Sequence, residues 1–88
     1  MSVLKVEILV RPDQKTQNVE SVFLFAAKQL GVELQISRTS NFAAYSNFAI
    51  NPSQTPIIFI NGNLEFAGRV PEPDVLKRKL AEIRDLSP

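Results

Sequence analysis

The chain has 88 residues, no cysteine, no histidine and a formal net charge of +1. One small domain spanning 1–88 is expected, without disulfides, thiol nucleophiles, imidazole bases or thiolate and imidazole metal sites. The near-neutral charge gives no general pull toward nucleic acid or an acidic membrane.

Met1-Ser2-Val3 carries no basic segment followed by an apolar core and a cleavage site. No apolar run approaches the roughly 20 residues of a membrane helix. Since small secreted domains usually rely on disulfides, the lack of cysteine points to the cytoplasm.

The first strand is expected over Val3 to Val10. Leu4, Val6, Ile8 and Val10 lie on one face, and Val3, Lys5, Glu7 and Leu9 on the other. Arg11-Pro12-Asp13 interrupts it, with Asp13 as the expected helix N-cap. A helix is then expected from about Gln14 to Leu30, with Val19, Val22, Phe23, Ala26, Ala27 and Leu30 at helical spacing. Leu24 and Phe25 fall off that stripe, either as a second edge buried against a neighbouring helix or as an exposed apolar contact. Gly31 is the stop signal.

Val32 to Ser37 alternates as a half-covered edge strand should, so strand, helix and strand form a right-handed βαβ unit with parallel strands. Thr39-Ser40-Asn41 offers several caps for a short helix or irregular turn over Phe42 to Ile50. There Phe42, Tyr45 and Phe48 step by three, as core packing or as a binding surface. Asn51 is suited to a left-handed helix end, and Pro52 stops continuation.

Thr55-Pro56-Ile57-Ile58-Phe59-Ile60-Asn61-Gly62 is the organising stretch. Four apolar residues in a row predict a strand covered on both faces, hence central. Asn61-Gly62 supplies the positive φ angles of a tight type I′ turn. Leu64 to Ala67 returns as the partner strand, ended by Gly68. A last helix starts near Glu72 or Pro73, with a stripe of Leu76, Leu80 and Ile83, and Val75 and Leu86 beside it. Lys77-Arg78-Lys79 reads as a solvated face or as a phosphate contact.

The order βαβ, helix, β-hairpin, helix resembles the thioredoxin/glutaredoxin-like fold. More narrowly, it resembles the small prokaryotic proteins called redox-active disulfide proteins. Thr55-Pro56, the apolar strand, Asn61-Gly62 and Ala67-Gly68-Arg69-Val70-Pro71 carry the likeness, which covers nearly the whole chain. It implies an α/β fold with a mixed four-stranded sheet of order 2-1-3-4 and helices on both faces. It also implies a cis peptide at Thr55-Pro56 facing the site, with Thr55 offering its backbone to an extended ligand.

In that family a Cys-x-x-Cys stands between the first strand and first helix. Counting back from Leu30-Gly31 puts it on Asp13, Gln14, Lys15 and Thr16, where both cysteines are missing. Asp13 is then expected to take the thiolate's place at the helix N-terminus as a plain cap, and Thr16 to present a hydroxyl. The groove would comprise Pro12, Asp13, Thr16, Gln54, Thr55 and Pro56, with Phe48 as an apolar neighbour.

No catalytic residue, metal ligand set or cofactor is indicated, and the chain is not a disulfide oxidoreductase by itself. The leading reading is a non-redox binding or adaptor module for an extended peptide or protein partner. Two others stand beside it: a glutathione- or thiol-related protein or enzyme accessory acting without its own cysteine, and a subunit that dimerises through Leu24, Phe25 or the aromatic segment. Nucleic-acid and membrane partners are not expected.

Overall fold

The apolar run Ile57–Ile60 forms a strand, β3, in which all four side chains are buried. In the computed structural model, which describes residues 3–86, the elements before it are β1 (Val3–Leu9), α1 (Gln17–Leu30) and β2 (Glu33–Thr39). After it come β4 (Asn63–Ala67) and α2 (Pro73–Leu86). The start read at Met1-Ser2 lies outside the described residues. The sheet order is β2-β1-β3-β4, with β1 and β2 parallel and β3 antiparallel to both β1 and β4.

Alternation sorts the apolar side chains onto two faces. Leu4, Val6, Ile8, Val10, Ile58 and Ile60 pack under Val19, Phe23 and Ala26 of α1 and Leu76 and Leu80 of α2. Leu9, Ile57 and Phe59 point to the other face, under Phe42, Tyr45, Phe48 and Ile50. Both α-helices therefore sit on one face. The helical cover expected on the second face is a single 3-10 turn, Phe42–Tyr45, followed by irregular chain. Its three aromatic side chains are half-buried, and Tyr45 and Phe48 have ring centroids 4.5 and 4.8 Å from that of Phe59. Core packing accounts for their spacing.

The hairpin turn has positive φ at both Asn61 (52°) and Gly62 (84°), as a type I′ turn requires. Asn61 also ties the hairpin to β1. Its N–H donates to the Lys5 carbonyl at 2.8 Å, and its Oδ1 accepts from the Lys5 N–H at 2.9 Å. A register irregularity between Ile58 and Phe59 lets β4 follow the twist of β3.

Several expectations need correction. Leu24 and Phe25 are 54% and 55% exposed, off the stripe by which α1 joins the core; they are not a buried edge. Val75 and Leu86 are likewise exposed. Asn51 does not end a helix in the left-handed region. It is extended (φ −116°, ψ 116°) and caps a second 3-10 turn, Pro52–Gln54, by accepting from the Ser53 N–H. The reason is local: proline after Asn51 disfavours a compact conformation there, and the short Asn side chain bonds two residues ahead. In the basic run, Lys77 and Arg78 are exposed, and Lys79 approaches Glu65 (3.5 Å) and Glu82 (3.8 Å), as on a solvated face.

Candidate functional site at the sheet end beside Pro56

Leu9 pairs with Ile57, so the end of β1 and the start of β3 lie side by side. The segments Val10–Thr16 and Gln54–Pro56 therefore leave the sheet at the same end. β2 finishes there too, since the Val10 N–H donates to the Thr39 carbonyl at 3.0 Å. Gly68, at the end of β4, joins them by donating its N–H to the Pro56 carbonyl at 3.1 Å. Space would allow a Cβ on Gly68, 3.8 Å from Gln54 Cβ, and it is the φ of 89° that favours glycine there.

The loop after β1 departs from its expected course. Asp13 is not the N-cap. It lies exposed in a turn, and its carboxylate bonds to nothing among the described residues. Gln14 closes that turn, donating its N–H to the Arg11 carbonyl at 3.0 Å and accepting from the Arg11 N–H through Oε1 at 3.3 Å. Only after this detour does α1 begin, with Thr16 at the N-cap position.

Thr16 is the one buried polar residue among those described, at 6% exposure. It does not cap through its side chain. Its hydroxyl donates to Glu20 Oε2 at 2.6 Å, one helical turn on, and its carbonyl accepts the Glu20 N–H at 2.9 Å. The hydroxyl proton is therefore already committed to a carboxylate inside the chain. Lys15 is exposed.

Sequence reasoning missed Arg38. Its Nη2 donates to three carbonyls of this loop, those of Pro12 (2.9 Å), Gln14 (2.8 Å) and Arg11 (3.3 Å). One guanidinium nitrogen thus gathers the turn that carries Asp13. A signal was present in β2: Leu34 and Ile36 make an apolar row on the helix face, and Arg38 continues that row with a charge. Where such a row ends in arginine, five rigidly placed N–H donors arrive beside whatever backbone follows the sheet.

On the opposite wall, the Thr55–Pro56 peptide is cis and Pro56 is buried. Thr55 is extended (φ −78°, ψ 147°) and half-buried. Its N–H and C=O have no hydrogen-bond partner among the described residues. Gln54 is exposed, with its N–H on the Asn51 carbonyl at 2.8 Å. Phe48 is edge-on to Phe59 within the aromatic layer that packs on Leu9, Ile57 and Phe59.

The sheet end therefore offers an exposed turn, a buried hydroxyl, a cationic clamp and one extended residue with free backbone groups. Because the chain contains no cysteine, none of these can form or attack a disulfide. Among the described residues no cluster of three or more acidic side chains could hold a metal ion, and no helix is long and apolar enough to cross a membrane.

No curated protein matches the chain. The family model described as the thioredoxin domain matches it over residues 4–81, from β1 to the penultimate turn of α2. With its βαβ unit, its antiparallel hairpin and that match over nearly the whole length, the chain belongs to the thioredoxin-domain family, as a member without cysteine.

Proposed function

We propose that this domain is a non-redox binding module, and that the end of the sheet between the Pro12–Thr16 turn and Gln54–Pro56 receives an extended segment of a protein partner. One observation carries the reading: Thr55 is held extended at the margin of the sheet, with both its donor and its acceptor free. A buried or half-buried backbone group must find a partner, and here that partner is water or a ligand strand. An incoming extended chain replaces water with two backbone hydrogen bonds, the basis of strand-addition recognition. The missing cysteines fit the same reading, since a partner can be held there without a covalent step.

The test is to pan a phage-displayed dodecapeptide library against the protein and map a selected peptide by amide chemical shifts. Changes centred on Gln54, Thr55 and Asp13 to Thr16 are expected. Glutathione, titrated in parallel, should leave those amides in place. Failure to select any peptide, or changes clustered on Lys77, Arg78 and Arg84 with Thr55 silent, overturns the reading.

A further inference from the structure

Arg38 carries a charge that no carboxylate among the described residues neutralises. Its guanidinium rests on carbonyl oxygens through Nη2 alone, and no carboxylate among the described residues forms an ion pair with it. Nε and Nη1 donate to no group among the described residues, and the residue is exposed. The side chain is nevertheless not free to wander, because three acceptors hold Nη2. Both two-N–H edges of a guanidinium include Nη2, so with that nitrogen spent on the loop a carboxylate is met singly, by Nε–H or by Nη1–H, in a charge-assisted bond. A guanidinium held in this way is pre-organised for that contact, so little side-chain freedom remains to be lost on binding.

Its position relative to Thr55 gives the spacing. Arg38 is near the end of β2 and Thr55 precedes β3, with β1 between them. Arg38 is level with Ile8 and Ile58, and Thr55 lies three residues before Ile58, so two strand spacings of about 4.8 Å across and about 10 Å along separate their backbones by about 14 Å. About four residues of extended chain cover that distance. The neighbouring loop is also basic, with exposed Arg11 and Lys15 against the single carboxylate of Asp13, while Glu20 is occupied by Thr16.

We infer that the groove selects an acidic segment: a strand bonded to the Thr55 backbone brings a carboxylate side chain, about four residues along, to a free N–H of Arg38. This rests on the binding-module reading and names the class of its ligand. Arg38 has two jobs in it, holding the loop wall in place and receiving the acid.

The probes are an acetylated, amidated Ser-Val-Glu-Val-Glu-Val-Ser heptapeptide and its counterpart with Gln for Glu. The Glu peptide should bind about fivefold to tenfold more tightly at low salt, the range for a charge-assisted contact at a partly exposed site. That preference should shrink as salt is raised. In Arg38→Gln the two peptides should bind alike. Loosening of the loop alone would weaken both peptides in proportion and keep their ratio, so a retained ratio overturns the carboxylate role. Arg38→Lys, which keeps the charge but loses the planar group held on the loop carbonyls, should show an intermediate ratio.

Amide exchange at Gln14 reads the anchoring without any peptide, and Arg38→Gln should speed it while Ile57 to Ile60 stay protected. Unchanged exchange there overturns the anchoring. Equal affinity of the two peptides, with Thr55 perturbed by both, overturns the acidic preference and leaves the groove standing. If neither peptide perturbs Thr55 or Arg38, both readings fall.

Discussion

Tyr45 donates its phenolic hydrogen to the carboxylate of Glu7, joining the aromatic segment to β1 across 38 residues of chain. Burial, the hydrogen bond and the negative charge of Glu7 all favour the neutral phenol, and the Tyr45 pKa is raised to about 12. Tyr45 is the one tyrosine and the chain has no tryptophan, so tyrosinate absorbance reports this group alone. The titration should centre well above the unperturbed value of about 10. Because the folded pKa lies above the unfolded one, the contribution to stability is complete below about pH 10 and declines as pH rises toward 12. Tyr45→Phe should remove that alkaline slope from urea-unfolding curves. An absorbance midpoint near 10 in the folded protein contradicts the assignment.

The ring of Phe59 contacts both Tyr45 and Phe48, and its exposure is 0%. Phe59→Ala should therefore cost about 3–5 kcal/mol, close to the whole stability of a domain this small. Phe25→Ser, at a site 55% exposed, should change stability by no more than about 0.5 kcal/mol. Urea midpoints of the two variants compare them directly. Similar losses would mean that α1's outer face is covered in solution.

Asn61 combines a positive φ with two hydrogen bonds to Lys5. Asn61→Gly keeps the backbone conformation and loses only the side-chain bond, whereas Asn61→Ala loses that bond and strains φ. The expected costs are about 0.5–1.5 kcal/mol for glycine and about 1–2 kcal/mol more for alanine. Alanine proving no worse than glycine in thermal or urea unfolding would contradict the turn geometry.

The unaltered protein should show no turnover in insulin disulfide reduction, since no thiolate is available to attack. With Asp13→Cys and Thr16→Cys combined, oxidation should close an intramolecular disulfide, seen as the loss of two hydrogens by mass spectrometry and of two titratable thiols. Two thiols persisting under oxidation would mean that positions 13 and 16 do not stand as a dithiol pair.

What could be read from the residues beforehand had a repeat or a local chemical cause. The two-residue period of Val3 to Val10, the unbroken apolar run at Ile57 to Ile60 and the Asn61-Gly62 pair each dictate a local geometry. Together they leave few arrangements other than the observed sheet. The start of α1 was misplaced because Asp13 is a good cap in isolation. Its competitor, the turn gathered by Arg38, depends on a residue from another strand. No period announces such a contact, as it involves backbone carbonyls rather than a complementary side chain. The cover on the second face was half legible: the spacing of Phe42, Tyr45 and Phe48 showed that they pack, but not that one 3-10 turn would carry them. The Thr55 wall was expected only from the family likeness that the Thr-Pro step helps to carry, while the charged wall opposite it had no recognisable motif.

The unequal cover of the two sheet faces has a consequence for how the molecule opens. Two α-helices pack against each other on one side, and a short aromatic segment lies on the other. Releasing residues 42–50 breaks two ring contacts with Phe59 and the Tyr45–Glu7 bond, and leaves the helical layer untouched. Such a segment is a separate unit of unfolding, with an opening free energy below that of the whole domain. Its excursions bare Leu9, Ile57 and Phe59, so the sheet has a permanent side and a side that breathes.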